Sequence, residues 1–471
     1  MRGKEFGSVV LCFVLIYAAL NAYIRINGVR NRLPAQQPLE TVVATPNQKQ
    51  RPARVFSNAS KCDYRSEEYQ TLGVGDAMRR TYADVIRSRV KEKDSWGEMS
   101  CSRWGLSGEW KPRGRKIYYG TNLANEMDLL SVVLEEIYPV VDHIILQEAR
   151  HTWGQGFTKE KPLYFKQFAR THFAKYLPKT RYQEYDFNSI SECTPEATGG
   201  VPEIPSRACK WQQQWNSRNH LEKSAGDIRE QDIFLVSDLD ELVSREFLLA
   251  LKNCEVHREM EAPGGKCTKI NLLTFGHKYN FECTAARPAG HFHPDLTLGK
   301  CMKMIGGEEI RSYYGADWNT PHKLAYSQKY RPQEVSCVRN DNGEVKNCHR
   351  TGTVPGKALG PAGWHLMSFL SSEQLLFKQY TRAGPQPPDA NKHGWSQEDL
   401  AAIVEKKDAC NERSDIFRMD SWGCMPLPHA VRENPQRWRH FLHHVPDNEY
   451  PDEFGTMRMI HDFNAATFRG S

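Results

Sequence analysis

The middle of the chain alternates between short apolar runs and segments with helical periodicity. Residues 116–119 predict a short strand, and 141–146 predict a second, buried one. Between them, residues 126–138 place apolar side chains at the spacing of an amphipathic helix. Strand, helix and strand with short connections are typical of a parallel sheet. The pattern therefore predicts an α/β fold.

A second unit of the same kind follows about ninety residues later. Residues 233–236 are continuously apolar, as in a central strand that is buried on both faces. The strand runs into an acidic segment, 237–241. Ser244 is then placed as the N-cap of a helix from about 245 to 251.

The remaining pattern is weaker. Two more helices are predicted, over 371–382 and 397–406. The C-terminal stretch, rich in Pro and Asp, predicts surface loops, whereas 256–362 shows no assignable period. We expect a mixed, mainly parallel central sheet with its core over about 116–418.

The N-terminus has a different composition. Residues 6–24 carry no charge and are long enough for a helix to span the hydrocarbon core, so we predict a transmembrane signal anchor over 6–26. A cleaved signal peptide is the alternative. Residues 1–5 would be a cytoplasmic tail, and 27–60, which lack hydrophobic periodicity, a flexible stem. Residues 61–471 are then expected to form the luminal domain.

Two features favour the lumen of the secretory pathway. Cys12 lies in the apolar run, and the other 12 of 13 cysteines form an even set, as expected for disulfides in an oxidising compartment. Pairing of near neighbours from Cys193 onward is our guess at connectivity. Asn58 begins a glycosylation sequon just beyond the predicted anchor. We therefore expect a single-pass type II protein of the Golgi or ER membrane.

The net charge of the chain bears on which classes of binding partner the sequence supports. The net charge is +6 over 471 residues, and no long block of Lys or Arg occurs. The sequence therefore gives no case for nucleic acid as a partner. The membrane, through the N-terminal helix, is the partner that composition does predict.

The candidate chemistry lies where the apolar strand 233–236 ends. Asp238, Asp240 and Glu241 follow it, at the strand end where open parallel sheets bind ligands. Carboxylates gathered in this way suit Mg²⁺ or Mn²⁺, and such a metal can hold a nucleotide diphosphate. Two alternatives stay open. The acids cap a helix N-terminus, or the D-x-D is that of a phosphatase with an aspartyl nucleophile.

Several separated blocks of sequence resemble glycosyltransferase family 17, the family of the β-1,4-mannosyl-glycoprotein 4-β-N-acetylglucosaminyltransferase. Their order and spacing carry the resemblance. They are residues 125–130 (NEMDLL), 141–148 (VDHIILQE), 161–165 (KPLYF), 236–241 (VSDLDE), 363–366 (GWHL) and 368–369 (SF). The chain departs from the family at Leu242 and Val243, where the family tends to have Ile-Pro, and at Ala149, where it has Asn or Ser.

The resemblance implies a GT-A-like nucleotide-sugar-binding domain and an inverting, metal-dependent transferase. It would move N-acetylglucosamine from UDP-GlcNAc to a mannose of an N-glycan or related glycan acceptor. Asp238 and Asp240 would bind the metal and the diphosphate, and His365 would complete the metal shell. A catalytically degenerate glycan-binding protein is the alternative, since a fold can outlast its activity.

The remaining site residues are chosen by chemistry. Inversion needs a base near the acceptor hydroxyl, and Asp or Glu is the usual one. Glu148, at the end of its strand, is our first choice, and Asp415 is the second. Glu241, Glu126 and Arg218 are predicted to contact the nucleotide sugar, since the Arg fork suits phosphate oxygens.

Overall fold

The computed structural model describes residues of one compact unit, Phe56–Ser471. The described residues are 101, 104, 106, 108–153, 160–186, 207–256, 261–262, 266–285, 294–302, 333–339, 345–353, 359–382, 402, 404–405, 410, 416–418, 427–456 and 458–460. The predicted anchor, the predicted stem, Asn58 and Asp415 lie outside them. No helix in the described part of the chain is long and apolar enough to cross a membrane.

The first predicted unit is confirmed. Strand β1 (Ile117–Leu123), helix α1 (Met127–Ile137) and strand β2 (His143–Ala149) follow one another, and β1 and β2 pair in parallel. Both strands extend two or more residues beyond their predicted ends and carry polar residues near their C-terminal ends. Nearly every residue of α1 is buried, which is more than one amphipathic face requires.

Two further strands complete a parallel half-sheet. Helix α2 (Tyr164–Phe168) leads to β3 (Thr180–Tyr185), and helix α3 (Arg207–His220) leads to β4 (Ile233–Asp238). The order is β4-β1-β2-β3, with each neighbouring pair parallel. The chain runs from β1 to β2 and β3 on one side and places β4 on the other, so the strand order reverses between β1 and β4.

The segment after β4 has the predicted helix. A short strand, β5 (Glu241–Val243), precedes helix α4 (Arg245–Asn253). The Ser244 Oγ accepts a hydrogen bond from the Phe247 amide at 3.3 Å. The predicted N-cap is therefore confirmed.

The region that the sequence left unassigned contains most of the antiparallel strands. They are β6 (Glu261–Ala262), β7 (Lys266–Lys278), β8 (Asn280–Ala285), β9 (Asp295–Leu298), β10 (Gln333–Arg339), β11 (Val345–Thr353) and β12 (Leu359–Met367), with β13 (Ile416–Arg418) added later. The main path of the sheet is β11-β10-β7-β9-β4-β1-β2-β3, and β12 pairs with both β5 and β7. The fold is a mixed α/β one with a parallel-rich central sheet.

The helix predicted over 371–382 is confirmed, and the loops predicted after it are not. Helix α5 (Ser372–Thr381) begins with a capping box between Ser371 and Gln374. The C-terminal stretch forms helices α6 (His429–Glu433) and α7 (Arg439–Leu442), whose apolar residues join the main core. Helix α6 packs against α1 and contributes to burying it almost all round, whereas α7 packs against β8.

The disulfides are long-range. Cys101 pairs with Cys254 and Cys283 pairs with Cys410, across 153 and 127 residues. The expectation of disulfides is confirmed, but pairing of near neighbours is wrong for Cys254 and Cys283. The sheet brings distant segments together, so separation along the chain does not set the distance between the thiols.

Candidate active site

The acidic segment lies where the strand order reverses. Asp238 ends β4 and is in register with Asn122 at the end of β1. In open α/β sheets a crevice forms at this place, outside the carboxyl ends of the strands. A cavity with about 900 Å³ of empty space opens here. Its walls include Asn122, Glu126, Gln147, Trp153, Lys161, Ser217, Asp238, Asp240, Phe377 and Lys378.

Asp238 and Asp240 therefore face one cavity, as the metal-diphosphate hypothesis requires. The side chain of Asp238 is 36% exposed and that of Asp240 is 17% exposed. The two acids can reach a single ligand.

Asp240 already has a cationic partner. The Lys378 Nζ donates to Asp240 Oδ2 at 3.0 Å and lies 3.4 Å from Glu126 Oε1. Burial raises the pKa of Asp240, but Lys378 and His365 outweigh it and hold that pKa below its ordinary value. Burial likewise lowers the pKa of Lys378, but Asp240 and Glu126 raise it above its ordinary value. Both groups are charged at neutral pH.

Asp238 has a different partner. The Arg218 Nη2 lies 3.2 Å and 3.3 Å from the two carboxylate oxygens of Asp238. The Asp238 amide donates to Glu241 Oε2 at 2.9 Å, and the Ser237 hydroxyl donates to the Glu241 carbonyl at 2.7 Å. The buried Glu241 thus holds the turn that presents both aspartates. The structure brings together the predicted residues Arg218, Asp238, Asp240 and Glu241.

His365 joins this group through strand pairing. Strand β12 runs antiparallel to β5, with His365 opposite Glu241 and Gly363 opposite Val243. A Cβ on Gly363 would lie 1.9 Å from the Leu242 carbonyl oxygen, so the strands approach this closely only because residue 363 is glycine. The backbone amide of Leu366 also donates to the Asp240 carbonyl, at 2.6 Å.

The donor set that results suits a divalent cation. Ligand atoms of Asp240, Glu241 and His365 lie within 4.8 Å of one another, and His365 Nε2 is 4.0 Å from Asp240 Oδ1. Two carboxylates and an imidazole match the ligands of Mn²⁺ and related ions. Asp238 is not in this set, in which Glu241 takes the place that the sequence gave to Asp238.

Glu148 lies beside the cavity rather than in its wall. It is fully buried, and its carboxylate accepts hydrogen bonds from the backbone amides of Phe165 and Lys166 and from the Tyr182 hydroxyl. Burial raises its pKa, although nearby Lys161 and these donors oppose the shift. A carboxylate engaged by three donors at the start of α2 holds that helix against the sheet.

Glu126 lies in the cavity wall, and its contact with the nucleotide sugar stays a prediction. Its Oε2 accepts from the Asn125 amide at 3.0 Å, while its Oε1 faces Lys378. It therefore connects the loop after β1 to helix α5.

Several functional residues escape sequence reasoning. Lys378 and Lys161 line the cavity as cations, but neither belongs to a motif that indicates charge recognition. A row of polar residues also crosses the half-sheet in register: Asp238, Asn122, Gln147 and Gln183. Gln147 Nε2 donates to Asn122 Oδ1 at 2.7 Å, and Gln183 Nε2 donates to Gln147 Oε1 at 2.7 Å. The change from apolar to polar near each strand end was the available signal.

Comparison with known proteins identifies part of the chain. The sequence model described as Glycosyltransferase family 17 matches residues 68–262. Residues 68–262 are therefore similar to family 17. The family 17 match confirms the resemblance seen in the sequence and contains β1 to β5, including Asp238, Asp240 and Glu241. Lys378, which lines the cavity, and His365, which lies beside Asp240, are beyond the matched residues. No curated protein matches the chain significantly.

Proposed function

We propose that this family 17 glycosyltransferase is a GT-A-like, inverting enzyme that uses a divalent metal. In this proposal it moves N-acetylglucosamine from UDP-GlcNAc to a mannose of an N-glycan or related glycan. The observation that carries the proposal is that Asp238 and Asp240 line one cavity at the point where the strand order reverses, with His365 beside Asp240. Such crevices accept nucleotides because strand and helix ends meet there.

Different residues of the chain would have different roles in binding the metal and the nucleotide. Asp240, Glu241 and His365 would hold a Mn²⁺ or Mg²⁺ ion, which would stabilise the charge on the leaving diphosphate. The side-chain amides of Asn122 and Gln147 line the cavity, where hydrogen bonds to each other and to Ser217 hold them in place, so they would give the nucleotide a fixed polar surface. Lys161, whose pKa is lowered by burial, also lines the cavity.

The catalytic base has to have access to the cavity. A base must reach the acceptor hydroxyl to within hydrogen-bonding distance. Glu148 is buried behind the cavity wall, so we do not propose it for this role. Asp415 stays a prediction.

The compartment is part of the same proposal. We infer a luminal catalytic domain on a type II anchor in the Golgi or ER. Two disulfides between distant segments support an oxidising compartment. The predicted glycosylation of Asn58 would agree with it.

The proposal is tested by transfer assays on the full chain with a panel of UDP-sugars, with and without EDTA. We expect UDP-GlcNAc to be used and EDTA to abolish transfer in a way that added Mn²⁺ restores. Asp240→Asn should lower kcat/KM by at least about 10²-fold, because it weakens the grip on the leaving group.

Asp142→Asn is the matched control. Asp142 also pairs with a lysine, Lys252, at 2.9 Å, but it precedes β2 and so lies at the opposite end of the strands from the cavity. Its transfer rate should stay near that of the wild type. Transfer that is indifferent to EDTA and to Asp240→Asn contradicts the proposal. Glycan binding without transfer by a folded wild-type protein would instead support the degenerate alternative.

A further inference from the structure

Lys378 occupies the position where the proposed metal site and the cavity meet. Its ammonium lies 3.0 Å from Asp240 Oδ2, while Asp240 Oδ1 faces the His365 Nε2 at 4.0 Å. One carboxylate thus has an ammonium on one oxygen and a metal-ligating imidazole beside the other. The side chain of Lys378 is 28% exposed, toward the cavity that it lines.

The backbone of Lys378 is held firmly. Helix α5 begins with the Ser371–Gln374 capping box, and the Gln374 side chain also donates to the Thr456 hydroxyl at 3.2 Å. The Ser372 amide donates to Asp447 Oδ1 at 3.0 Å. Because the helix is tied at its first turn to the C-terminal segment, the ammonium can move by rotating its side chain more easily than by shifting the helix.

A divalent cation and the Lys378 ammonium compete for the negatively charged carboxylate of Asp240. At about 4–5 Å, a charge of +2 and a charge of +1 repel strongly even at an effective dielectric constant near 20. The three acids that line the cavity, Glu126, Asp238 and Asp240, are each within reach of a basic side chain. Lys378 pairs with two of these acids and Arg218 with the third, so an arriving cation has to compete with a resident one for Asp240.

We propose that Lys378 pairs with Asp240 in the absence of ligand. When a divalent cation binds Asp240, the Lys378 side chain rotates and its ammonium pairs with the diphosphate of the donor. The inference rests on the proposed metal-dependent function. It adds a role to a residue outside the family 17 match. A nucleoside diphosphate is the ligand class, because its phosphate oxygens can accept the hydrogen bond that Asp240 gives up.

The first test measures Mn²⁺ alone, by electron paramagnetic resonance and calorimetry, on the full chain without nucleotide. Lys378→Gln should bind Mn²⁺ at least about tenfold more tightly than the wild type, because the competing charge is gone. Lys378→Arg, which keeps the charge, should stay near wild type.

Lys252→Gln is the matched control for this test. Lys252 is 26% exposed and pairs with an aspartate at 2.9 Å, much as Lys378 does, but it lies outside the cavity. Its Mn²⁺ affinity should be that of the wild type. Thermal unfolding of each variant shows that the protein stays folded.

The second test measures UDP binding at saturating Mn²⁺. Here Lys378→Gln should bind UDP at least about fivefold more weakly, while the affinity for uridine, which has no phosphate, should not change. Tighter metal and weaker diphosphate binding in one variant is a pair of opposite effects that loss of structure does not produce.

The outcomes separate this inference from the proposed function. Equal or weaker Mn²⁺ binding by Lys378→Gln overturns the inference, and so does unchanged UDP affinity. If the wild type still transfers sugar in an EDTA-sensitive way, the proposed function stands without it. If neither the wild type nor the variant binds Mn²⁺, the inference and the metal requirement both fail.

Discussion

Asp128 is a buried carboxylate in the first turn of α1, where most proteins would expose an acid. Burial, together with the nearby charges of Glu453 and Asp452, raises its pKa to about 8, and Arg437 only partly opposes that shift. In the unfolded chain the pKa is near its ordinary 3.8. The folded protein therefore keeps a proton that the unfolded chain releases.

The sign of the pH effect follows. Between pH 3.8 and about 8 the folded state binds more protons, so the free energy of unfolding falls as the pH rises through this window. Asp128→Asn should remove that slope and raise the free energy of unfolding by about 1–3 kcal/mol at pH 7. Denaturant unfolding at pH 5 and pH 8 measures both effects. A variant whose slope equals that of the wild type would contradict the burial of a protonated Asp128.

The site residues show which side chains the sequence alone could identify. The acids at 238, 240 and 241 were found because a buried strand ends at them, and His365 because of the family 17 resemblance. The partners of these groups, Lys378 for Asp240 and Arg218 for Asp238, depend on which helices lie over the cavity. Nothing local to Lys378 distinguishes it from the many other lysines of the chain.

The pairing of β5 with β12 is the element-level feature on which the site depends. Its register sets His365 opposite Glu241, and its close approach depends on Gly363. The pair joins a strand inside the family 17 match to one a hundred residues beyond it. The group of Asp240, Glu241 and His365 is therefore assembled by sheet formation rather than by a local motif.

Gly363→Ala should break this approach. The new Cβ would meet the Leu242 carbonyl at 1.9 Å, and backbone cannot give way as a flexible side chain does. We expect a loss of about 1–3 kcal/mol in the free energy of unfolding and a marked fall in Mn²⁺ affinity and transfer. Thermal unfolding and metal titration measure the two effects.

Gly226→Ala is the control for overpacking. Gly226 has helical dihedral angles, and its Cβ would meet the Lys223 carbonyl at 3.8 Å, an ordinary contact. This variant should be neutral or slightly stabilised. Wild-type stability and metal binding in Gly363→Ala would show that β5 and β12 do not pair as described.

The element pattern was predictable where it was local. The α1, α4 and α5 periodicities and the caps at Ser244 and Ser371 involve residues within a few positions of one another. The strands within 256–362 were not assignable, because their polarity is set by neighbours such as β9 and β12 rather than by alternation. The C-terminal helices were taken for loops because Pro and Asp outweighed their few buried apolar residues.

At the scale of the whole molecule, disulfides link segments that lie far apart in the chain. Cys101–Cys254 joins the segment before β1 to the end of α4, and Cys283–Cys410 joins β8 to a later segment. Both pairs of sulfurs are buried. Loops of this length restrict the unfolded chain far more than short ones.

Replacing Cys101 and Cys254 together by Ser should lower the free energy of unfolding by about 2–4 kcal/mol. Replacing Cys283 and Cys410 should cost a similar amount, because the loops are of similar length. Chemical denaturation without reductant measures both losses, because reductant would also break the bridge that each variant keeps. Unfolding midpoints equal to that of the wild type would contradict the assigned pairs.

The sequence by itself determined the α/β class, the strand that ends in acids and the family 17 resemblance, because these depend on short-range periodicity and on contiguous motifs. Only the tertiary structure decided that Glu241 rather than Asp238 stands with Asp240 and His365, that Glu148 holds α2 instead of facing the cavity, and which cysteines pair. Each of those outcomes is a contact between segments tens to hundreds of residues apart. Such contacts are set by sheet register and helix packing, and a linear pattern does not contain the distances that these create.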